Sequence, residues 1–289
     1  MTNLVKIATV SMNVAFNKKQ NLDKYLDYIK KASLEGTKLI VFPEQSLQGY
    51  LKSLHSMDLD NVNYQHKNAE VIPDGLSVQT LIRAAKEYDI YIVFGMTEKD
   101  RERQDILYNS AVLVGPEGYI GTYRKVHQPG DETHVFTPGE EFKVFSTEIG
   151  NIGLLICFDK AYPESSRELA LKGADILISP TAWTMPAAGT DQWKGYYDVL
   201  DQVRAFENQL WFISSDMCGP HGDHNYYGHS RIVDPTGATV AECGYEEGVA
   251  YAEINIREGL LQARTSLGIL LNLIKNRKPS AYHSIPSNV

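Results

Sequence analysis

Cysteine is scarce in this chain, with three residues in 289, at positions 157, 218 and 243. An odd number at irregular spacing makes no disulfide framework and fits a reducing compartment, so a cytoplasmic location is expected. Long hydrophobic runs are lacking too. No stretch reaches the ~18 apolar residues that cross a bilayer, and residues 1–12 lack the charged, apolar and small-residue layout of a signal peptide. No membrane partner is therefore expected. Basic charge is also in short supply, with 28 Lys and Arg against 36 Asp and Glu, a formal net charge of -8. Phosphate recognition needs a concentrated basic surface, and the nearest approach, Lys275 to Lys278, reads as a short solvated face. That argues against a nucleic-acid partner. What is there is an ordinary globular composition, 43% hydrophobic and 22% charged. The length allows one large domain or two average ones.

Strand-like and helix-like patterns alternate along the chain. Lys6 to Val10 is a short β-type run, and residues 21–33 place Leu22, Tyr25, Leu26 and Ile29 on one helical stripe that Gly36 terminates. Residues 38–42 form an apolar strand ended by Pro43, residues 76–88 an amphipathic helix, and residues 90–94 another strand. Residues 107–114 and 119–123 flank a Gly115-Pro116-Glu117-Gly118 turn and read as a hairpin. Residues 152–156 read as a buried strand.

The second half repeats this order. Residues 36–43 resemble 173–180, residues 88–94 resemble 208–214, and residues 109–118 resemble 229–237. The spacing far exceeds the roughly 20–50 residues of solenoid repeats, so the repeat implies two similar α/β halves. Each half buries one sheet face under helices and the other against its twin. The expected fold is α/β, a four-layer α-β-β-α sandwich with an internal pseudo-two-fold repeat, forming one domain over residues 1–289. The tail, residues 257–289, is too apolar at Leu260, Leu261, Leu267, Ile269, Leu270 and Ile274 to hang free. It suits packing on another subunit, so a homodimer or larger homo-oligomer is expected.

Among candidates for chemistry, Cys157 stands first. It ends a strand just before Tyr162-Pro163-Glu164, where Pro and Glu mark a helix's first turn. A thiol at such a corner lies beside backbone N–H groups that lower its pKa and can hold an oxyanion. Cys218 and Cys243 fit the role of small core residues better. His127 and His134 are the histidines to consider as a base, although neither is tied to Cys157 by sequence. His221 and His224 sit in a polar loop without further ligand spacing and read as loop histidines, not a metal site. Glu44 directly follows a buried strand, Lys125 closes the strand of residues 119–123, and Glu132 lies in the loop after it.

In Val41-Phe-Pro-Glu44, Tyr123-Arg-Lys125, Ile156-Cys-Phe-Asp159 with Tyr162-Pro-Glu164, Ser179-Pro-Thr181 and Arg204-Ala-Phe-Glu-Asn208, the chain resembles the nitrilase, or carbon–nitrogen hydrolase, superfamily. All five motifs occur in the family's order, over Lys6 to about Glu253. The resemblance implies the same α-β-β-α sandwich. It also implies Cys157 as nucleophile, Glu44 as general base, Lys125 as oxyanion-stabilising cation and Glu132 as the second glutamate, with Glu140 and Glu141 as nearby alternatives for that last role. Proton transfer from a free Cys to a free Glu is uphill by roughly 6 kcal/mol. Burial and a second carboxylate narrow that gap from the acid's side, and a lysine narrows it from the thiol's side. The thiolate would attack an amide carbon, with Lys125 and the Phe158 backbone N–H on the oxyanion, giving a thioester that water then clears. No metal or organic cofactor is needed.

The substrate reading is narrower. True nitrilases typically continue Cys-Trp-Glu, whereas this chain has Cys157-Phe158-Asp159. A small amide or N-carbamoyl compound is therefore favoured over a nitrile. Lys160 stands where similar N-carbamoyl hydrolases carry a carboxylate-binding Arg, but Ala161 departs from their double-Arg pattern, and Asp159 with Lys160 would equally make a surface pair. Trp183 is a candidate for the acyl pocket, and Arg167, Arg204 and Glu207 read as structural ion-pair partners. A nitrile-hydrolysing enzyme, or a non-catalytic binding protein on the same fold, is the alternative.

Overall fold

The computed structural model describes residues 4–56, 58–185, 190–265 and 271–282, without the side chains of 190–193. The first half runs β1 (Val5–Ser11), α1 (Lys18–Leu34), β2 (Leu39–Val41), α2 (Leu59–Asn68), α3 (Leu76–Tyr88), β3 (Tyr91–Lys99), β4 (Leu107–Gly115) and β5 (Gly118–Arg124). The second runs α4 (Glu132–Val135), β6 (Val144–Thr147), β7 (Gly150–Leu154), a 3-10 turn (Cys157–Ala161), α5 (Pro163–Leu171), β8 (Ile176–Thr181), β9 (Thr184–Met185), α6 (Thr190–Asn208) and β10 (Trp211–Asp216). It continues through β11 (Cys218–His221), β12 (His224–Tyr227), β13 (Arg231–Val233), β14 (Thr239–Glu242), β15 (Gly248–Ile254) and α7 (Ile256–Thr265).

Two six-stranded sheets result, ordered β15-β1-β2-β3-β4-β5 and β6-β7-β8-β10-β13-β14. They match strand for strand. In each, three parallel strands continue into an antiparallel pair, and an antiparallel strand closes the other edge. The repeated segments of the sequence are β2 and β8, β3 and β10, and β4 and β13. The halves are not wholly contiguous, because β15 returns from the far end of the chain to pair with β1 over Val5↔Ile254 to Ser11↔Gly248.

The alternation of side chains builds the layers. Ile7, Leu39, Val41, Tyr91, Val93 and Leu113 join Ile152, Leu154 and Ile213 in one buried cluster. Their neighbours Ala8, Val10, Ile40, Ile92 and Val112 pack with Tyr25 and Ile29 of α1 and Val78, Leu81 and Ala85 of α3. A period of two thus gives one sheet face to the twin sheet and the other to helices. On the far side α5 covers β7 and α6 covers β10. The fold is the expected α-β-β-α sandwich. Among the described residues no helix is long and apolar enough to cross a membrane.

Three details differ from expectation. The strand before Cys157 ends at Leu154, because a 3-10 turn starting at Cys157 intervenes before α5. A small sheet, β11-β12-β9, and helix α2 carried no clear periodic signal. The start of the expected tail belongs to the chain's own core: α7 buries Leu260 and Ala263, and Gln209 Nε2 donates to the carbonyls of Ala263 and Leu271 at 2.8 and 2.6 Å. Leu267, Ile269 and Leu270 lie outside the described residues.

Candidate active site

The carboxyl ends of the parallel strands β2, β7, β8 and β10 meet at one rim of the sandwich, the usual place for a site in α/β sheets. Glu44 follows β2 there. Its turn lies flat on β3 because position 95 is glycine, where a Cβ would come 2.4 Å from Gln45 N and 2.6 Å from Glu44 Cα. Gly95→Ala is expected to push that turn away and lower kcat/KM by about 100-fold, since a misplacement near 1 Å costs that much. Gly195→Ala, with nothing within 4 Å, is the control. A kinetic comparison of the two variants tests it.

Lys125 leaves β5 with its N–H on the Asn109 carbonyl at 2.8 Å. Its Nζ donates to Glu44 Oε1 at 2.7 Å and to Glu132 Oε1 at 2.8 Å, all three side chains being fully buried. Glu132 opens α4 and points inward, while Thr133 and His134 beside it are exposed. Two further residues complete the cluster. Asn109 Nδ2 donates to Glu44 Oε1 at 2.6 Å and to Glu132 Oε1 at 3.4 Å, and the Tyr50 hydroxyl donates to Glu132 Oε1. Burial and the charge of Glu44 push the Glu132 carboxyl up to about 7, against the pull of Lys125. Burial alone would depress the Lys125 ammonium, but Glu132 and Glu44 outweigh it and hold the group charged.

Cys157 sits in the left-handed region, φ 44°, at the head of the 3-10 turn. Asp159 pins that turn. Its Oδ2 accepts from Ile156 N–H at 2.9 Å and from the Tyr123 hydroxyl at 2.6 Å, while its Oδ1 takes both the backbone N–H and ring Nδ1 of His127 at 2.9 Å. Arg204 clamps the turn's other end through the Lys160 carbonyl at 2.8 Å and pairs with Glu207 at 2.7 Å, the structural role expected of it. Arg167 reaches the Glu207 carbonyl at 2.8 Å.

The thiol's protonation runs against expectation. Burial and the charge of Glu44 raise the Cys157 thiol well above its ordinary value, outweighing Lys125, the Ala182 backbone N–H and Lys160, which lower it. The resting group is a neutral thiol. Burial disfavours the thiolate here, so forming it would need a change in the thiol's surroundings.

The structure places the remaining candidates as follows. Phe158 is half-buried, its ring edge-on to Tyr162 at 5.4 Å. Trp183 is buried, with its backbone N–H donating to Asp216 Oδ1 at 2.8 Å. Lys160 and Asp159 are no surface pair, both being wholly buried. Lys160 Nζ binds Asp201 Oδ1 at 2.7 Å and lies over the Tyr197 ring at 3.5 Å. His127 serves Asp159 rather than Cys157, and His134 is exposed, so neither makes a Cys-His pair. Glu140 and Glu141 are exposed, the latter paired with Lys143 at 3.0 Å, which leaves Glu132 as the second glutamate of the cluster. His221 is held by the carbonyls of Val14 and Tyr50. The broad 520 Å³ cleft on the molecule's surface, lined by Glu98, Tyr108, Tyr119 and Arg124 together with Glu140 and Glu141, includes none of Glu44, Lys125, Glu132 and Cys157.

Sequence reasoning missed Asn109, Tyr50, Asp216 and Tyr226. A polar Asn109 inside the apolar strand of residues 107–114 was the one available signal. The others are brought in by tertiary packing alone.

Fold and site together define a thiol centre beside a buried glutamate–lysine–glutamate chain in an α-β-β-α sandwich. Comparison with known proteins gives the family. The carbon-nitrogen hydrolase family model matches residues 6–259. A nitrilase of Pyrococcus abyssi is 34% identical over 282 residues, covering 96% of this chain and 99% of its own. The human omega-amidase NIT2 is 28% identical, covering 88% of this chain and 89% of its own. The crystal structure of Saccharomyces cerevisiae Nit3, a member of branch 10 of the nitrilase superfamily, superposes with a TM-score of 0.81 at 29% identity, covering 92% and 95% of the two chains. The chain belongs to the carbon–nitrogen hydrolase family.

Proposed function

We propose that the protein hydrolyses a non-peptide carbon–nitrogen bond in a small amide or N-carbamoyl compound through a thioester on Cys157. The observation that supports it best is the single Lys125 ammonium held between Glu44 and Glu132, each of which keeps a buried oxygen, Oε2, without a partner. Glu44 takes the Cys157 proton as sulfur bonds to the amide carbon, and Lys125 with the Phe158 N–H holds the oxyanion. Collapse breaks the carbon–nitrogen bond, and Glu44 passes its proton to the departing ammonia or amine. Glu44 then takes a proton from water as the water oxygen bonds to the thioester carbon. The carbon–sulfur bond breaks, the acid leaves, and Glu44 returns the proton to sulfur, restoring the thiol. None of these steps draws on a metal or organic cofactor.

The Pyrococcus abyssi nitrilase, alike over almost its full length, favours a second reading, in which a small nitrile is the substrate. The residues after the nucleophile, Phe158-Asp159, favour the amide. Measuring ammonia release from matched amide, N-carbamoyl and nitrile series separates them. Faster release from amides or N-carbamoyl compounds is expected. Nitriles turned over faster than their amides would reverse the assignment, and no release from any series would favour a binding protein.

We further propose self-association into a homodimer or larger assembly. On α6, Val199, Val203 and Phe206 recur at helical spacing while 54%, 39% and 46% exposed, and Leu261 of α7 is 55% exposed. Light scattering at micromolar concentration is expected to give a multiple of 32.4 kDa. The mass of one chain would contradict it.

A further inference from the structure

Around the thiol, the unpartnered groups are acidic or neutral, and the basic ones are paired. The two lysines that pull the Cys157 thiol down most are Lys125 and Lys160. The first is shared by two glutamates and the second is bound to Asp201 at 2.7 Å. Residues 186–193, which follow β9, add no Lys or Arg. Against this stand two buried groups with no hydrogen-bond partner, Asp216 Oδ2 and the Tyr226 hydroxyl. Asp216 pairs in register with Thr181, whose carbonyl takes the Glu44 N–H at 3.3 Å, and the Tyr226 ring stands edge-on, 6.4 Å between centroids, to Tyr50, whose hydroxyl holds Glu132. They come from different elements, β10 and β12, so their convergence is a product of the fold.

We infer that the acyl half of the substrate is uncharged and carries a second neutral polar group, which Asp216 and Tyr226 bind. This rests on the hydrolase reading above and narrows it. A buried polar atom without a partner costs free energy, and a neutral ligand that supplies the partner recovers it. A ligand carboxylate would add a negative charge to a centre where Glu44 and Glu132 already outnumber Lys125. Its own desolvation would meet no unpaired cation. Burial holds the Asp216 carboxyl well above the usual range, which favours its neutral form, able to donate as well as accept. Monoamides of dicarboxylic acids and N-carbamoyl amino acids are therefore poor substrates, and neutral diamides or hydroxyamides of similar length are good ones.

The test compares butanediamide, butyramide and succinamate, three short amides that differ at the far end. kcat/KM for the diamide is expected to exceed that for succinamate by at least ~100-fold, because the succinamate carboxylate would be desolvated without an unpaired cation to meet it. Tyr226→Phe removes one hydroxyl and is expected to raise KM for the diamide about tenfold more than for butyramide. Equal or faster turnover of succinamate, or equal KM changes for the two neutral amides, would overturn the inference. Calorimetric binding to Cys157→Ser reads the same preference without turnover. Diamide binding without succinamate binding supports the inference even if wild-type protein hydrolyses nothing, which would defeat the hydrolase reading alone. Succinamate binding as tightly as the diamide, or no diamide binding at millimolar concentration, overturns it.

Discussion

Cys157→Ala is expected to lower kcat/KM by at least ~10⁴-fold, equivalent to roughly 5.5 kcal/mol of barrier, with any substrate the protein turns over. The expectation follows from the chemistry of the position. Alanine keeps the Cβ, so the φ of 44° is no more strained than before, and Asp159 and Arg204 still hold the turn. Only the sulfur is lost. The melting temperature should move by no more than about 3 °C, the scale of a 1 kcal/mol change in a chain this long. Cys218→Ala and Cys243→Ala should leave turnover nearly unchanged. Cys218 is buried away from the cluster, its thiol pushed up to about 12 mainly by burial, and Cys243 hydrogen-bonds the Thr9 carbonyl. Steady-state kinetics on the three variants decide the matter, and appreciable residual turnover in Cys157→Ala would sink the nucleophile assignment.

Glu132→Gln is expected to cost at least ~100-fold in kcat/KM, about 2.7 kcal/mol, with little change in thermal stability. The amide keeps the size of the side chain and an oxygen for Lys125 at the 2.8 Å contact, but the cluster loses a negative charge. The pH profile gives the finer test. In the wild type, activity should fall as pH drops through about 7, where the coupled carboxylates take up a proton and the base is lost. With Glu132 replaced by a neutral amide, the carboxyl held at about 7 is gone from the cluster. The acidic limb should therefore move to lower pH even as the plateau falls. Glu140→Gln and Glu141→Gln, both exposed, serve as controls. If Glu132→Gln behaves like them, the shared-ammonium account of the site is wrong.

Much of this was legible in the chain because it is local. Glycine and proline at residues 36, 43, 173 and 180 punctuate matching strands, and the halves of the sandwich follow from them. Glu44, Lys125 and Cys157 stand at strand ends, where the carboxyl edges of two sheets must meet once the repeat is recognised. Glu132 was legible only through its likeness to a family pattern, since a loop carboxylate ordinarily faces water and this one is drawn in by Lys125, Tyr50 and Asn109.

What was illegible depended on long-range packing. Tyr226 belongs to a hairpin whose strand, β12, borders β9 across some forty residues of chain, and nothing local marks it. Lys160 looked available because sequence gives its type and not its partner, Asp201, which lies two turns inside α6. The thiol's state turned on a balance of burial against charge that residue types alone cannot weigh. In that balance burial prevails over Lys125.

The central claim is that the acyl group passes through a covalent bond to Cys157. Intact-protein mass spectrometry of the wild type, acid-quenched during turnover of a small amide and followed by peptide mapping, tests it most directly. The account predicts a mass increase equal to the acyl fragment without its nitrogen, on the Cys157 peptide and absent in Cys157→Ala. Turnover with no acyl adduct at any stage of the quench series, or an adduct on Cys218 or Cys243 instead, would contradict it.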